Sequence, residues 1–256
     1  MAQHTIETTA TGTARRPARD AARDTARDTA RDTTQDTARD GRHDDCTPTE
    51  RVTRSLLGYG VIAGPVYLTV SLAQAFTREG FDPTRHAWSM LANGSLGWIQ
   101  ITNFVLTGLM VLAAAAGLRR AFGTGPAGRW APRLVAVYGV SLLAAGVFRA
   151  DPALGFPAGT PEGPGEVSWH GALHFVAGGV GFACLAAACF VVARRYSAQG
   201  RRGRALWSRA TGAVFLTGFA MLASSGGSQA GTLVFTAAVI AVWAWLSAVA
   251  ADAYRR

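Results

Sequence analysis

The sequence predicts an all-α, polytopic membrane protein, a six-transmembrane-helix bundle preceded by a disordered, polar N-terminal tail. Three observations lead there. Residues 51–256 contain six apolar stretches close to membrane-spanning length. The same segment holds seventeen Arg against six acids (Glu79, Asp82, Asp151, Glu162, Glu166, Asp252), and most of these charges fall between the apolar stretches. Residues 1–50 have no apolar run and carry eight Arg against ten Asp and Glu. The two parts contribute +11 and −2 to the formal charge of +9. A length of 256 residues alone would allow one or two soluble domains, but the apolar stretches rule them out.

The domain organisation is therefore 1–50, an Arg/Asp/Thr-repeat tail, and 51–256, the transmembrane domain. From Arg19 to Asp40 the tail repeats with a period of four, RDAARDTARDTARDTTQDTARD. So few apolar side chains cannot offset the entropy of ordering, and disorder is expected. No apolar core follows the early arginines, so the tail is not a secretory signal peptide and targeting falls to the first span. Cys46, Cys184 and Cys189 form no disulfide or zinc-finger framework.

The spans are expected at 55–77, 99–118, 134–150, 169–193, 209–227 and 231–251, each near the ~20 residues that cross a hydrocarbon core. Pro65 should kink the first. Small residues such as Gly58, Gly60, Gly64 and Ala113 to Ala116 favour close helix packing and a compact bundle. With the N-terminus placed in the cytoplasm, fourteen arginines fall on the inside and three, Arg78, Arg85 and Arg149, outside. That bias puts both termini in the cytoplasm. Basic side chains that are all Arg, beside abundant Ala and Gly, suggest a bacterial plasma membrane. Arginines clustered at span ends set topology and meet lipid headgroups; no separate basic domain points to nucleic acid.

The uncommon polar residues converge on the outer side. His86, His170 and His174 all map there, with five of the six acids. The loop GFDPTRHAWSMLANGSLGW, 80–98, is apolar enough to form a short interfacial helix, with Asp82 as its N-cap and Pro83 at its first position. His170 and His174 stand four residues apart on one face of the fourth helix, and Arg149 and Asp151 close the third. Such an HxxxH can supply two nitrogens to zinc, with Asp151, Glu166 or His86 as a third ligand. Equally, the pair could shuttle protons or join an interhelical hydrogen-bond network. Gln100 and Asn103 share a face of the second span, and Ser224, Ser225, Ser228 and Gln229 cluster at the last outer turn. No Walker A or GxSxG sequence occurs.

The stretches 64–104, VFRADPALGFPAGTPEG (147–163) and WHGALHF (169–175) resemble the bacterial membrane family called domain of unknown function 998. Its carriers here are Asp82, Arg85, His86, Ser89, Gly97, Trp98, Asn103, Asp151, Pro152, His170 and His174. The resemblance covers about residues 54–251 and implies six membrane helices without an established activity. A looser similarity is to the membrane hydrolases that include alkaline ceramidases and progestin/adiponectin-type receptors, which gather a Ser, an Asp and an HxxxH around zinc. Ser89, Asp151, His170 and His174 mimic that set, in a chain with six spans where those proteins have seven.

Three functions follow as expectations. A membrane hydrolase of a lipid or other amphiphile would use His170, His174 and Asp151 for a metal or water, with Ser89 and Arg149 at the reacting group and Asp82, Arg85, His86, Gln100 and Asn103 on the substrate. A carrier or receptor would use the same pocket for a small amphiphile without chemistry. A structural membrane protein would need no pocket.

Overall fold

Six long helices cross the molecule, and each is bounded by residues suited to its ends. The computed structural model describes residues 47–224 and 226–256; the repeat tail, 1–46, and Ser225 lie outside the described residues. Helix α1, Pro48–Thr77, starts on a proline, whose missing N–H costs nothing in a first turn. It continues through Pro65 without a break. Helix α2, Gly97–Phe122, ends at Gly123, whose φ of +72° suits a residue without a side chain. Helix α3, Pro126–Val147, again opens on proline. Helices α4, Trp169–Ala198, and α6, Gln229–Tyr254, are N-capped by Ser168 and Ser228, whose hydroxyls accept from Gly171 N and Gly231 N. Helix α5, Arg202–Ser224, lies between them.

All six are long and apolar enough to cross a membrane, and no strand occurs among the described residues. The chain is a multi-pass membrane protein. Its helices run three to eight residues beyond the expected spans at the basic ends. There, arginine side chains continue the helix out of the apolar layer. The third span differs: α3 stops at Val147, so Arg149 and Asp151 lie beyond it in the connecting loop.

Consecutive helices pack side by side, and α1 against α6 closes the ring. The connections 78–96 and 148–168 and the turn 226–228 share one end, the long-loop end. The two short connections share the other, terminal end with both ends of the bundle. Glycines bring the helices together: a Cβ on Gly60 would stand 2.8 Å from Ala114 Cβ and 2.8 Å from Ala250 Cβ, where α1, α2 and α6 meet. Trp243 of α6 fills the middle of the ring, stacked on Tyr67 of α1 at 4.8 Å and edge-on to Tyr138 of α3 at 5.7 Å.

At the terminal end, Asp252 is enclosed by cations. Arg201 binds both its oxygens at 2.7 and 2.6 Å, Arg256 approaches at 2.7 Å, and Arg204 and the Tyr196 hydroxyl complete the cage. This was the one acid outside the tail that the sequence left apart from the others, and it ties α4, α5 and α6 together.

Candidate functional site

The loop after α1 folds back onto the bundle. Arg78 is responsible: its guanidinium donates to Leu91 O at 3.1 Å and Asn93 O at 2.6 Å, pinning the short 3₁₀ helix Trp88–Ala92 to the end of α1. Asn93 in turn donates to Ala150 O at 2.9 Å, joining this loop to the one after α3. Asp82 does not cap the short helix as the sequence suggested. Its carboxylate accepts from the Thr84 hydroxyl at 2.7 Å and Thr84 N at 2.8 Å, capping a separate turn that ends before Ala87. Those two hydrogen bonds hold the Asp82 carboxyl below its ordinary pKa.

His86 sits at the centre of this fold-back, 2% exposed. Its Nδ1 accepts from Asp82 N at 2.9 Å, which leaves Nε2 protonated and donating to Leu154 O at 2.9 Å. Phe81 and Phe156 pack on the ring. Both nitrogens are engaged, so His86 positions structure and cannot touch a substrate or a metal in this arrangement. What it positions is Leu154, a non-glycine residue with φ of +56° whose side chain reaches the cavity described next.

Inside the ring, between these loops and Trp243, lies a cavity of about 320 Å³. Tyr67, Phe104, Tyr138 and Leu142 form its floor, and Phe182, Phe219 and Phe235 one wall. Polar side chains gather at its long-loop mouth: Arg85, Ser89, Asp151, Glu166 and His174. Of the residues singled out from sequence, the structure thus brings Arg85, Ser89, Asp151 and His174 to one cavity. Ser89 has no hydrogen-bond partner for its hydroxyl among the described residues. His174 donates from Nδ1 to Phe148 O at 2.8 Å, which leaves Nε2 as the acceptor nitrogen of the neutral ring. Arg85 extends toward exposed Glu162, 3.1 Å away.

The remaining candidates are elsewhere. His170 is exposed, its ring 3.6 Å from that of Trp169, and does not line the cavity. Asp151 directs both oxygens at Ser168, accepting from its N–H at 2.8 Å and its hydroxyl at 2.5 Å, and so fixes the start of α4. A zinc set of His170, His174 and Asp151 is therefore not assembled. Among the described residues no three His, Cys, Asp or Glu side chains are placed to hold a metal ion. Arg149 is exposed beyond α3 and outside the cavity lining. Gln100 and Asn103 are buried between α1 and α2. There Gln74 donates to Gln100 Oε1 at 2.8 Å, and Asn103 donates to Tyr67 O and Ser71 Oγ, each at 3.2 Å. They form an interhelical network away from the cavity.

The aromatic wall and floor were missed by reasoning that followed polar residues. Tyr67 and Tyr138 at mid-span, and Phe215 and Phe219 one turn apart, were the available signal.

The comparison with known families bears on the same segment. The family model described as "Protein of unknown function (DUF998)" matches residues 61–252, from within α1 to the Asp252 cage. The chain belongs to that family. No curated protein and no solved structure matches it. The DUF998 match covers α2 to α5, most of α1 and α6, and both loops that close the cavity, so the cavity lies wholly within the family's own segment.

Proposed function

We propose that this DUF998 protein binds a small amphiphile, with the apolar part in the ring cavity and the polar part at the long-loop mouth. The observation that carries the reading is the segregation of the lining. Tyr, Phe and Leu side chains surround a blind, ligand-sized space, while Arg85, Ser89, Asp151, Glu166 and His174 meet at one end of it. The arginine asymmetry supports a bacterial plasma-membrane protein with both termini in the cytoplasm, so the mouth faces the outer leaflet. The floor residues Tyr67 and Tyr138 pack on buried Trp243, which favours binding over passage through the bundle.

Hydrolysis of the bound amphiphile is the second reading, favoured by one observation: Ser89, with its unpartnered hydroxyl, and His174, with an acceptor nitrogen, line the same mouth. Asp151, engaged with Ser168, has no part in it.

The test uses palmitic acid bearing a diazirine, added to the full-length protein in vesicles and photolysed. Cross-links should map to Phe182, Phe219 and Phe235, and Thr236→Trp, which fills the cavity, should abolish them while the protein stays folded. Labelling confined to residues facing away from the cavity, or unchanged by Thr236→Trp, would refute the binding reading.

A further inference from the structure

Resting on that reading, the geometry points to how the amphiphile arrives and what it is: we propose that one acyl chain of a bilayer lipid enters the cavity sideways, through a gap between α4 and α5 at the long-loop end. Burial along the helices locates the gap. At that end of the bundle, α1 buries Tyr67, Ser71, Gln74 and Ala75, α2 buries Gln100, Asn103 and Phe104, α3 buries Leu142 and Ala145, and α6 buries Thr232 and Phe235. In contrast, α4 buries nothing between Gly171 and Gly181, and α5 buries nothing after Gly218. Nearer the middle the same two helices are tightly joined: a Cβ on Gly212 would lie 3.0 Å from Cys189 Cβ. Contact between the two helices resumes at Gly179, where a Cβ would lie 3.6 Å from Phe219 Cζ of α5. Hence they part only at the long-loop end, over residues 172–178 of α4, or ~10 Å of helix.

The cavity reaches this gap. Phe175, Gly178 and Phe182 line it from α4, and Phe219, Leu222 and Ala223 line it from α5. Gly178 differs from the packing glycines of the bundle. A Cβ there would meet only Phe182 Cε2, at 3.8 Å, an ordinary contact, and no atom of α5 within 4 Å. Close helix approach therefore does not require glycine at this position; what glycine provides is open space. Outside the gap, Phe175, Val176 and Val180 are 54%, 62% and 52% exposed on a helix long and apolar enough to span the membrane, so hydrocarbon is what lies against them. The volume, about 320 Å³, is at the small end for ligand sites and suits one chain better than two. A chain that slides in from the bilayer keeps its headgroup at the level of Arg85, Glu166 and His174, without crossing water.

Two photoactivatable probes separate lateral access from binding as such. One is a phosphatidylcholine with a diazirine at the end of one chain, built into the vesicle bilayer; the other is octanoic acid carrying a diazirine, added from water. In the full-length protein the phospholipid should cross-link to Phe182 and Phe219. Gly178→Leu should lower that yield about tenfold more than it lowers octanoate labelling of the cavity. Gly178→Ala, which adds one uncrowded methyl, should behave as wild type in both. Octanoate labelling without phospholipid labelling would overturn lateral access while sparing the binding reading. Phospholipid labelling undiminished in folded Gly178→Leu would overturn it too, and labelling by neither probe would remove both proposals.

Discussion

The two ends of the ring solve opposite problems with the same residue types. At the terminal half, glycine brings backbones into contact, as Gly60 does against Ala114 and Ala250, and one carboxylate, Asp252, is surrounded by Arg201, Arg204 and Arg256. At the long-loop half, Gly178 leaves room, and Asp151, Glu166 and His174 are spread around a cavity. A glycine in a membrane helix therefore has no fixed meaning. Whether a neighbour stands within 3 Å or beyond 3.5 Å of its missing Cβ decides between a packing role and an opening. The same holds for histidine: His86 has both nitrogens bonded within the fold, whereas His174 keeps one as an acceptor at the cavity mouth.

The comparison is broken most directly by putting one side chain at both kinds of glycine. Leucine at Gly60 must displace Ala114 and Ala250 at once, across three helices, and should cost about 3 kcal/mol or more, with failure to fold as the extreme. Gly178→Leu should leave the melting temperature nearly unchanged. Equal losses from the two variants would show that the α4–α5 side is as tightly packed as the rest.

Next in size is Asp252→Ala. Removing the carboxylate leaves three guanidiniums facing one another, from Arg201 just before α5, Arg204 in its first turn and Arg256 just after α6. The arginines are 27% to 47% exposed, so water screens part of the penalty. A loss of about 2 kcal/mol is expected, below the range for a fully buried pair. Thermal unfolding at low and high salt measures it. A loss that salt does not change would show that packing, and not charge, is what the cage supplies.

The sequence made much of this legible, for identifiable reasons. Six spans were readable because hydrocarbon admits so few backbone arrangements, whereas the one cap read from the sequence, Asp82, holds a separate turn. The cavity mouth was half legible. Arg85, Ser89, Asp151 and His174 do converge, since the loops carrying them share one end of the ring. His170 and Arg149 do not, because proximity in sequence says nothing about which way a side chain turns at a helix end. Gln100 and Asn103 were read as ligand groups because their partners, Ser71 and Gln74, sit on another helix and belong to no motif. The cavity itself was hidden, being a property of where six helices fail to meet.

A smaller effect is expected from Gln100→Leu, and it sharpens the line between network and site. The amide accepts from Gln74, so leucine leaves a buried donor unsatisfied, for a loss of about 1–2 kcal/mol. Palmitate-probe labelling at Phe182 should stay unchanged in the folded variant. If labelling disappears while stability holds, the α1–α2 network belongs to the ligand site after all.

The smallest effect concerns Asp82, where the long-loop end depends on one carboxylate in the way the terminal end depends on Asp252, but in contact with water. The Thr84 hydroxyl and then the Thr84 N–H hold its pKa below the ordinary carboxyl value. For a depressed carboxyl, the stabilisation is present above the unfolded-state pKa and disappears as pH falls through the folded one. Asp82→Ala removes the hydrogen bonds at every pH. The melting temperatures of wild type and Asp82→Ala should therefore differ slightly and constantly from pH 7 down to about pH 5, then converge as pH falls below about 4. The convergence comes from wild type losing what the variant never had. A difference that persists unchanged to pH 3 would mean the neutral acid caps the turn as well as the carboxylate does, and the charge at this end would then be irrelevant to its fold.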